Sequence, residues 1–313
     1  MRFFSAEELR RALDIEALID ALERGHAGDR PQLADSLIGP SDGRYMVRSA
    51  HNGGDLIGTK LITIFPANPG RSDLPSVQAV VVLFGGDDGH PKALLEATEL
   101  TYWKTAADSA LGSRQLSRDD SEILVVAGAG GLAPWLVRAH RVVRPGLQQV
   151  LIWNRTAERA KALVDELSQE GVQAEVAPEL ESAVRAADIV TTATMASEPV
   201  LKGAWLRAGT HVDLVGGYSA ETREADDAVF SRGRVFVNCM DTALDGVGDI
   251  DGPLQSGAIR KDDILGDHFD LVSGSVQGRQ NPEDITVFKN AGGAHLDLMI
   301  AAALVHRVEA GAA

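Results

Sequence analysis

The sequence predicts an α/β protein that combines a doubly wound parallel sheet with a second domain of mixed α+β structure. Between residues 119 and 291, apolar strand-like runs alternate with helical segments, which indicates a parallel sheet covered by helices on both faces. Between residues 44 and 83, three β-type runs are separated only by turns containing Gly and Pro, which favours an antiparallel or mixed sheet. A chain of 313 residues is longer than a single hydrophobic core usually supports. We therefore expect two domains: residues 1–118, with the C-terminal helix 292–313 packed back on them, and residues 119–291.

The composition limits the possible partners and compartments. With 30 Lys and Arg against 45 Asp and Glu, the net charge of −15 repels polyanions, and no basic run suits nucleic acid. A single cysteine, Cys239, excludes an internal disulfide framework, and no Cys/His cluster has the spacing of a zinc site. The N-terminus lacks the apolar core of a signal peptide, and no apolar run approaches the roughly 18 residues of a membrane span. We therefore expect a cytoplasmic protein that binds no nucleic acid and no membrane.

No metal is expected either. The acidic residues after the last predicted strand of the alternating region lack the spacing of a calcium loop. We interpret them as a solvated acidic segment, comprising Asp241, Asp245, Asp249 and Asp251.

The first domain is predicted to begin with a helix, continue with strands and end with a second helix. Ser5 and Glu8 have the spacing of a capping box, and leucines at helical spacing follow, so a helix is expected over residues 5–24. The runs YMVRS, LIGTKLITIF and VQAVVVLF predict three strands. The stretch ELTYWKTAADSALG, residues 99–112, predicts the next helix, and GGAHLDLMIAAALVHRV predicts the C-terminal one.

A glycine-rich loop opens the second domain. In VVAGAGGLAPWL, three small residues follow the pattern G-x-G-x-x-A directly after a strand and at the start of a helix. The first glycine permits a tight turn, the second lets the backbone approach a pyrophosphate, and the small third residue lets helix and strand pack closely. The sequence therefore predicts a Rossmann-type dinucleotide site, whose alternative is an ordinary glycine-rich turn. Its expected phosphate contacts are Gly128, Ala129, Gly130, Gly131 and Leu132.

The end of the next strand indicates which nucleotide is bound. A site selective for NAD places an acidic side chain there to bind the ribose 2′-hydroxyl. This sequence has Asn154, Arg155 and Thr156 instead, and Arg155 is suited to pair with a 2′-phosphate while its neighbours donate hydrogen bonds. We therefore predict NADPH rather than NAD, with a solvated loop arginine as the alternative for Arg155.

These regions together resemble the ornithine cyclodeaminase/mu-crystallin family. The matching pieces include LIGTKLITIFPANP, the block LFGGDDGHPKALLEATELTYWKTAADSALGSRQL, VVAGAGGLA, WNRT, ADIVTTAT, VDLVGGY followed by READ, and DITVFKNAGGAHLDL. They occur in order from about residue 40 to 300. The resemblance implies a mixed α/β substrate and dimerisation domain followed by a Rossmann domain, and hence a homodimer.

The resemblance assigns roles to two cations of the first domain. Lys60 corresponds to the family lysine that lies beside the substrate and the nicotinamide, which implies a role in binding the substrate carboxylate or in proton transfer. The alternative is an outward-facing lysine on an edge strand. Arg48, on the preceding strand, is a hypothetical second anchor for the substrate anion.

Lys104 stands where family members commonly have an arginine that grips the substrate carboxylate. A lysine keeps the charge but loses the two-pronged geometry. The alternative is an ion pair with Asp108, four residues further along the same helix.

The resemblance also implies further contacts with the cofactor. They lie in DIVTTAT, VDLVGG and FKNAGG, the last of which matches the family segment that closes over the nicotinamide. The residues concerned are Thr192, Ala193, Thr194, Val215, Gly216, Lys289 and Asn290, and position 290 is usually serine in the family.

One departure from the family bears on the reaction. Family cyclodeaminases have an aspartate after the VGG turn, whereas this sequence has Tyr218, which supplies no carboxylate. Together with the preference for NADPH, this favours a reductase acting on a small imine that carries a carboxylate, of the Δ1-pyrroline-2-carboxylate or 2-imino-acid type. The alternatives are an NAD-dependent ornithine cyclodeaminase, which forms proline and ammonia, and a non-catalytic, crystallin-like protein that binds NADPH.

Overall fold

The computed structural model describes residues 1–40, 42–52, 56–72, 74–217 and 219–311. The predicted α/β class is confirmed, with one mixed and one parallel sheet. The chain divides into two compact units, Met1–Lys104 with Gly293–Ala313, and Thr105–Gly292. The domain boundary expected at residue 118 lies at the end of a helix, whereas the two compact units divide inside that helix.

Strands and helices alternate from β7 to β10, whereas three α-helices follow one another between β12 and β13. The strands are β1 Arg2–Phe4, β2 Gln32–Ile38, β3 Arg44–His51, β4 Leu56–Ile64, β5 Val77–Gly85, β6 Pro91–Glu96, β7 Ile123–Ala127, β8 Gln149–Trp153, β9 Ala174–Val176, β10 Ile189–Thr192, β11 His211–Leu214, β12 Arg234–Val237 and β13 Thr286–Lys289. The α-helices are α1 Ala6–Arg11, α2 Ile15–His26, α3 Asn68–Arg71, α4 Leu100–Leu116, α5 Ala133–Val143, α6 Ala157–Gln169, α7 Leu180–Ala186, α8 Asp227–Arg232, α9 Met240–Ala243, α10 Gly248–Ser256, α11 His268–Ser273 and α12 Ala294–Glu309.

A six-stranded sheet forms the centre of the first unit, in the order β1-β6-β5-β4-β3-β2. Its pairs are antiparallel except β1 with β6, which are parallel. Helix α12 packs across β3, β4 and β5 and against α2. Gly58 permits this close approach, because a Cβ built at that position would lie 2.5 Å from Leu298 Cδ1. The glycine thus lets α12 lie directly on β4, the strand that carries Lys60.

Two features of the first unit differ from the sequence-based expectation. The capping box of Ser5 and Glu8 is confirmed, but the expected helix over residues 5–24 is two helices. It is interrupted because Asp14 has an extended backbone and caps α2 by accepting from the Ala17 amide. Strands β1, β2 and β6 were not predicted, since each is short or carries polar residues that hide its alternation.

The second unit contains a seven-stranded parallel sheet in the order β12-β13-β11-β10-β7-β8-β9. Both faces are buried, so successive residues of one strand enter different cores. Leu124 and Val126 of β7 pack in a cluster with α5 and α6, whereas Val125 and Ala127 pack in the cluster on the other face. This explains why the sequence of β7 reads as a continuous apolar run.

Within the described ranges, none of the helices has both the length and the apolar character needed to cross a bilayer.

Candidate active site

The predicted cofactor residues of the second unit lie at the carboxyl ends of its parallel strands. The strand order reverses between β7 and β10, and ligands of such sheets bind beside the carboxyl ends at this point. The residues follow or end five neighbouring strands: 128–132 after β7, 154–156 after β8, 192–194 at the end of β10, 215–216 after β11, and 289–290 at the end of β13. The fold therefore gathers segments that are far apart in the sequence.

The loop after β7 has the geometry that an anion requires. Gly128 has a φ of +125° and donates its N–H to the Trp153 carbonyl oxygen over 2.8 Å. Helix α5 begins after Leu132 with no side-chain cap. Pro134 has no N–H, and the amides of Ala133 and Trp135 donate to the Gly130 and Leu132 carbonyl oxygens, so it is the positive dipole end of the helix that suits the pyrophosphate of a dinucleotide.

Replacing Gly128 with Ala is expected to weaken nucleotide binding about 10-fold or more, because the strain is about 1–3 kcal/mol. The added Cβ would lie 2.5 Å from the Ala193 carbonyl oxygen and would also disfavour the positive φ. The matched control is Gly171→Ala, which has a φ of +77° but no atom within 4 Å of the added carbon. Calorimetric titration with NADPH checks this, and equal affinities for the two variants would contradict it.

Asn154 connects the phosphate loop to the end of β8. Its Oδ1 accepts from the Ala129 amide over 3.2 Å, and its Nδ2 donates to the Thr156 carbonyl oxygen over 2.9 Å. Arg155 is exposed and forms no hydrogen bond or ion pair with another described residue. The asparagine thus shapes the loop, while the arginine has its guanidinium in solvent beside it.

Glu224, which was not predicted as a site residue, fixes the ends of β10 and β11. Its buried carboxylate accepts from Thr192 Oγ1 at 2.6 Å, from the Thr194 amide at 2.6 Å and from Thr194 Oγ1 at 2.8 Å. It also accepts from the amides of Val215 at 3.1 Å and Gly216 at 2.5 Å. Burial raises the pKa of Glu224, although the charge of Lys289 opposes the rise. The Glu224 side chain therefore fixes two of the predicted cofactor segments, residues 192–194 and 215–216, relative to each other.

Lys289 is fully buried and pairs with Asp249, whose Oδ2 lies 3.0 Å from the lysine Nζ. Asp249 Oδ1 also accepts from the Glu224 amide over 2.8 Å. The expectation that Asp249 belongs to a solvated segment is therefore wrong, because its charge is balanced inside the protein; Asp241 and Asp245 are exposed. The contact of Lys289 with the cofactor stays a prediction.

Asn290 is also held by the protein. Its Nδ2 donates to the Thr105 carbonyl oxygen at 3.0 Å and to Ser109 Oγ at 3.1 Å, and its Oδ1 accepts from the Gly292 amide at 3.2 Å. The contact predicted between Asn290 and the cofactor likewise stays a prediction.

In the first unit, Lys60 lies in the middle of the sheet, on β4 between β3 and β5. Its side chain is only 3% exposed, so the edge-strand alternative is wrong. Its Nζ donates to Thr101 Oγ1 over 2.7 Å and to Asp297 Oδ1 over 3.1 Å. The lysine is therefore a buried, oriented ammonium.

Two further cations contribute to this group, which we call the lysine cluster: Lys60, Lys104, Arg48 and Asp297. Lys104 is 5% exposed, and Arg48 lies directly opposite Lys60 in the register of β3 and β4. The Arg48 guanidinium pairs with Asp35 over 2.8 Å. Burial alone would raise the pKa of Asp297, but the charges of Lys60, Lys104 and Arg48 hold that pKa below its usual value.

The sequence carries one signal that Asp297 is a buried, paired residue. Between Lys289 and Arg307 it is the only Asp, Glu, Lys or Arg, and it interrupts an otherwise apolar helix. A lone charge on a buried helix face requires a partner of opposite charge.

Tyr218, where the family aspartate is absent, lies outside the described residues. Asp108 pairs with His268 over 3.1 Å, and its alternative pairing with Lys104 stays a prediction.

Comparison of the sequence with known proteins gives one family and close relatives. The sequence profile of the ornithine cyclodeaminase/mu-crystallin family matches residues 6–312. The Δ1-pyrroline-2-carboxylate reductase of Paracoccus denitrificans is 44% identical over 312 residues, which cover 99% of this chain and 98% of the relative.

Solved structures have the same fold. The structure of Thermococcus litoralis Δ1-pyrroline-2-carboxylate reductase, in complex with NADH and L-proline, matches with a TM-score of 0.93 and 28% identity, covering 99% of this chain and 98% of that one. The iminosuccinate reductase of Paracoccus denitrificans, in complex with NAD+, matches with a TM-score of 0.91 and 25% identity, covering 99% and 97%.

Proposed function

Because the chain belongs to the ornithine cyclodeaminase/mu-crystallin family, we propose that it is an NADPH-dependent reductase of a small imine bearing a carboxylate. The substrate is of the Δ1-pyrroline-2-carboxylate or 2-imino-acid type. The relatives support this choice, since a reductase of Δ1-pyrroline-2-carboxylate is 44% identical over nearly the whole chain.

The lysine cluster is the observation that carries the proposal. Three cations, Lys60, Lys104 and Arg48, all act on the buried carboxylate of Asp297, and the first two are themselves buried. Buried charge is costly unless it is paired. A group in which three cations surround one carboxylate favours an anionic substrate, such as a carboxylate.

The residues around the substrate have a limited task in this reaction. Bound NADPH would supply a hydride to the imine carbon, and the nitrogen of a protonated imine would take the electron pair of the C=N bond and become a neutral amine. The lysine cluster holds the carboxylate and so orients the imine carbon for this transfer. A protonated imine accepts hydride more readily than a neutral one, so the net charge around the nitrogen affects the rate.

The phosphate loop and its neighbours fit a dinucleotide with an extra phosphate. The uncapped N-terminus of α5 suits the pyrophosphate, and the exposed Arg155 supplies a cation at the end of β8, where NAD-selective sites have an acid. Arg159, also exposed, lies in the first turn of α6 and adds positive charge there.

The Arg155→Ala variant is expected to bind NADPH about 10- to 100-fold more weakly, the value of one hydrogen-bonded charge pair, with unchanged NADH affinity. The control is Arg185→Ala, which removes an exposed arginine paired with Glu181 on α7. Fluorescence titration with both nucleotides measures the ratio of affinities. A ratio that does not move, or a wild-type protein that binds NADH more tightly, would contradict the assignment.

The function is tested with purified protein by following NADPH oxidation with a panel of cyclic imines and of keto acids plus amines. Oxidation with Δ1-pyrroline-2-carboxylate or a related imine is the expected result. Formation of ammonia and proline from ornithine would identify a cyclodeaminase instead. Tight NADPH binding without turnover of any imine would identify the non-catalytic alternative.

We also propose a homodimer. Strand β2 lies at the edge of the six-stranded sheet and exposes apolar side chains, with Leu37 50% and Ile38 62% accessible. An exposed apolar edge strand favours coverage by another chain. Sedimentation equilibrium tests this, and a monomer at micromolar concentration would contradict it.

A further inference from the structure

The environment of Lys60 contains two different kinds of hydrogen-bond partner. Thr101 Oγ1 at 2.7 Å is neutral, whereas Asp297 Oδ1 at 3.1 Å carries charge. An ammonium group has three N–H donors, and the third has no acceptor among the described residues. Two protein contacts therefore define the direction of the remaining N–H group.

The surroundings of Asp297 favour its ionised form. It lies in the first turn of α12, where the helix dipole favours negative charge. The charged groups that act on it are Lys60 on β4, Arg48 on β3 and Lys104 on α4, and together they hold its pKa below the usual value. On the neighbouring helix α2, His26 makes a ring contact with His295, which precedes Asp297 by two residues. The second carboxylate oxygen of Asp297, Oδ2, is buried and has no hydrogen-bond partner among the described residues.

The ammonium of Lys60 would be unstable in this place without that carboxylate. Its side chain is buried, and a buried charge is costly unless it is paired. The ion pair with Asp297 supplies that partner. A neutral amine at position 60 would be a proton acceptor, whereas an ammonium is a donor and an anchor for a carboxylate.

We infer that Asp297 is a positioning residue that keeps Lys60 a charged, oriented donor for the substrate carboxylate and excludes it as a proton acceptor over the working pH range. This inference rests on the proposed imine reductase function. Thr101 contributes to the direction of the ammonium but not to its charge.

The test compares the pH dependence of kcat/KM for the wild type and three variants. In Asp297→Asn, the shape is kept but the charge is lost, so the fall of kcat/KM at high pH is expected to move to lower pH by about one to three units. Asp297→Glu keeps the charge, and its high-pH fall is expected to lie close to that of the wild type. Thr101→Val removes the hydroxyl that accepts from Lys60 and donates to the Ala97 carbonyl oxygen but changes no charge, and it is expected to lower kcat/KM without moving the high-pH fall.

The matched control is Asp14→Asn, the same substitution at an exposed helix cap that pairs with Arg307. It is expected to keep the wild-type profile. Unfolding curves and NADPH affinities for each variant separate loss of the fold from loss of the ammonium. If Asp297→Asn does not fold, Asp297→Ser, which also lacks the charge, replaces it in the comparison with Asp297→Glu and Thr101→Val.

Failure of this inference is distinguishable from failure of the proposed function. A wild type that reduces no imine would overturn the function. A wild type that reduces an imine while Asp297→Asn keeps the same pH profile, or while Thr101→Val moves it as far, would overturn the role of Asp297. Binding of pyrrolidine-2-carboxylate measured across the same pH range gives a readout independent of turnover, and unchanged pH dependence in Asp297→Asn would contradict the inference.

Discussion

Replacing Lys60 with Met is expected to lower kcat/KM for imine reduction by about 100- to 1000-fold, the usual effect of removing one preorganised charged donor. Met fills a similar volume but supplies neither the charge nor the N–H groups. Loss of the lysine leaves Asp297 buried without the ammonium that pairs with it, so the substrate carboxylate would meet a carboxylate in place of an ammonium. The measurement is steady-state kinetics with NADPH and the imine found by the panel assay.

Two controls make this result specific. Lys92→Met changes an exposed lysine at the start of β6 in the same unit and is expected to retain wild-type activity. NADPH affinity in Lys60→Met is expected to be unchanged, because the phosphate loop belongs to the second compact unit. A kcat/KM within about 3-fold of the wild type, well below the usual effect of such a donor, would show that Lys60 does not contact the substrate.

The second large effect concerns the buried pair of Lys289 and Asp249. Changing Lys289 to Met is expected to reduce the free energy of unfolding by about 3 to 5 kcal/mol, because it leaves a buried carboxylate without its cation. The substitution also favours protonation of Glu224, because the charge of Lys289 opposes the rise of the Glu224 pKa. Denaturation in urea, followed by tryptophan fluorescence, measures the change.

The pairing itself is tested by a double-mutant cycle. Asp249→Asn alone is expected to be destabilising, and the double variant Lys289→Met/Asp249→Asn is expected to lose less than the sum of the single losses. Lys161→Met, at an exposed position on α6, is the matched control and should unfold like the wild type. Additive losses in the cycle would mean that the two side chains do not stabilise each other.

The parts of the site that could be predicted from the sequence have local signals. The phosphate loop is such a case, because a strand, a glycine pattern and a helix follow one another within a dozen residues and determine the backbone together. Lys60 was found for a related reason, since a lysine inside an apolar strand stands out against its immediate neighbours and matches a family motif.

The parts that were missed depend on pairs of distant residues. Asp297 meets Lys60 across 237 positions of sequence, and Glu224 reaches Thr192 across 32. Hydrophobic periodicity describes which face of an element is buried, but it does not give the register or the packing partner of a single charged group. The burial of Asp249 was misjudged for this reason, because the aspartate lies on α10 among other acidic residues while its partner Lys289 lies on the distant strand β13.

The first unit is formed by residues 1–104 together with residues 293–313, so it can be completed only after the segment between them has been synthesised. Lys60 leaves the ribosome early, but the aspartate that neutralises it is made only after the nucleotide-binding segment is complete. A nascent chain therefore carries an unbalanced lysine through most of its synthesis, and a product cut short before α12 lacks the counter-ion altogether. The ion pair of Lys60 can therefore form only once α12 has docked on β4.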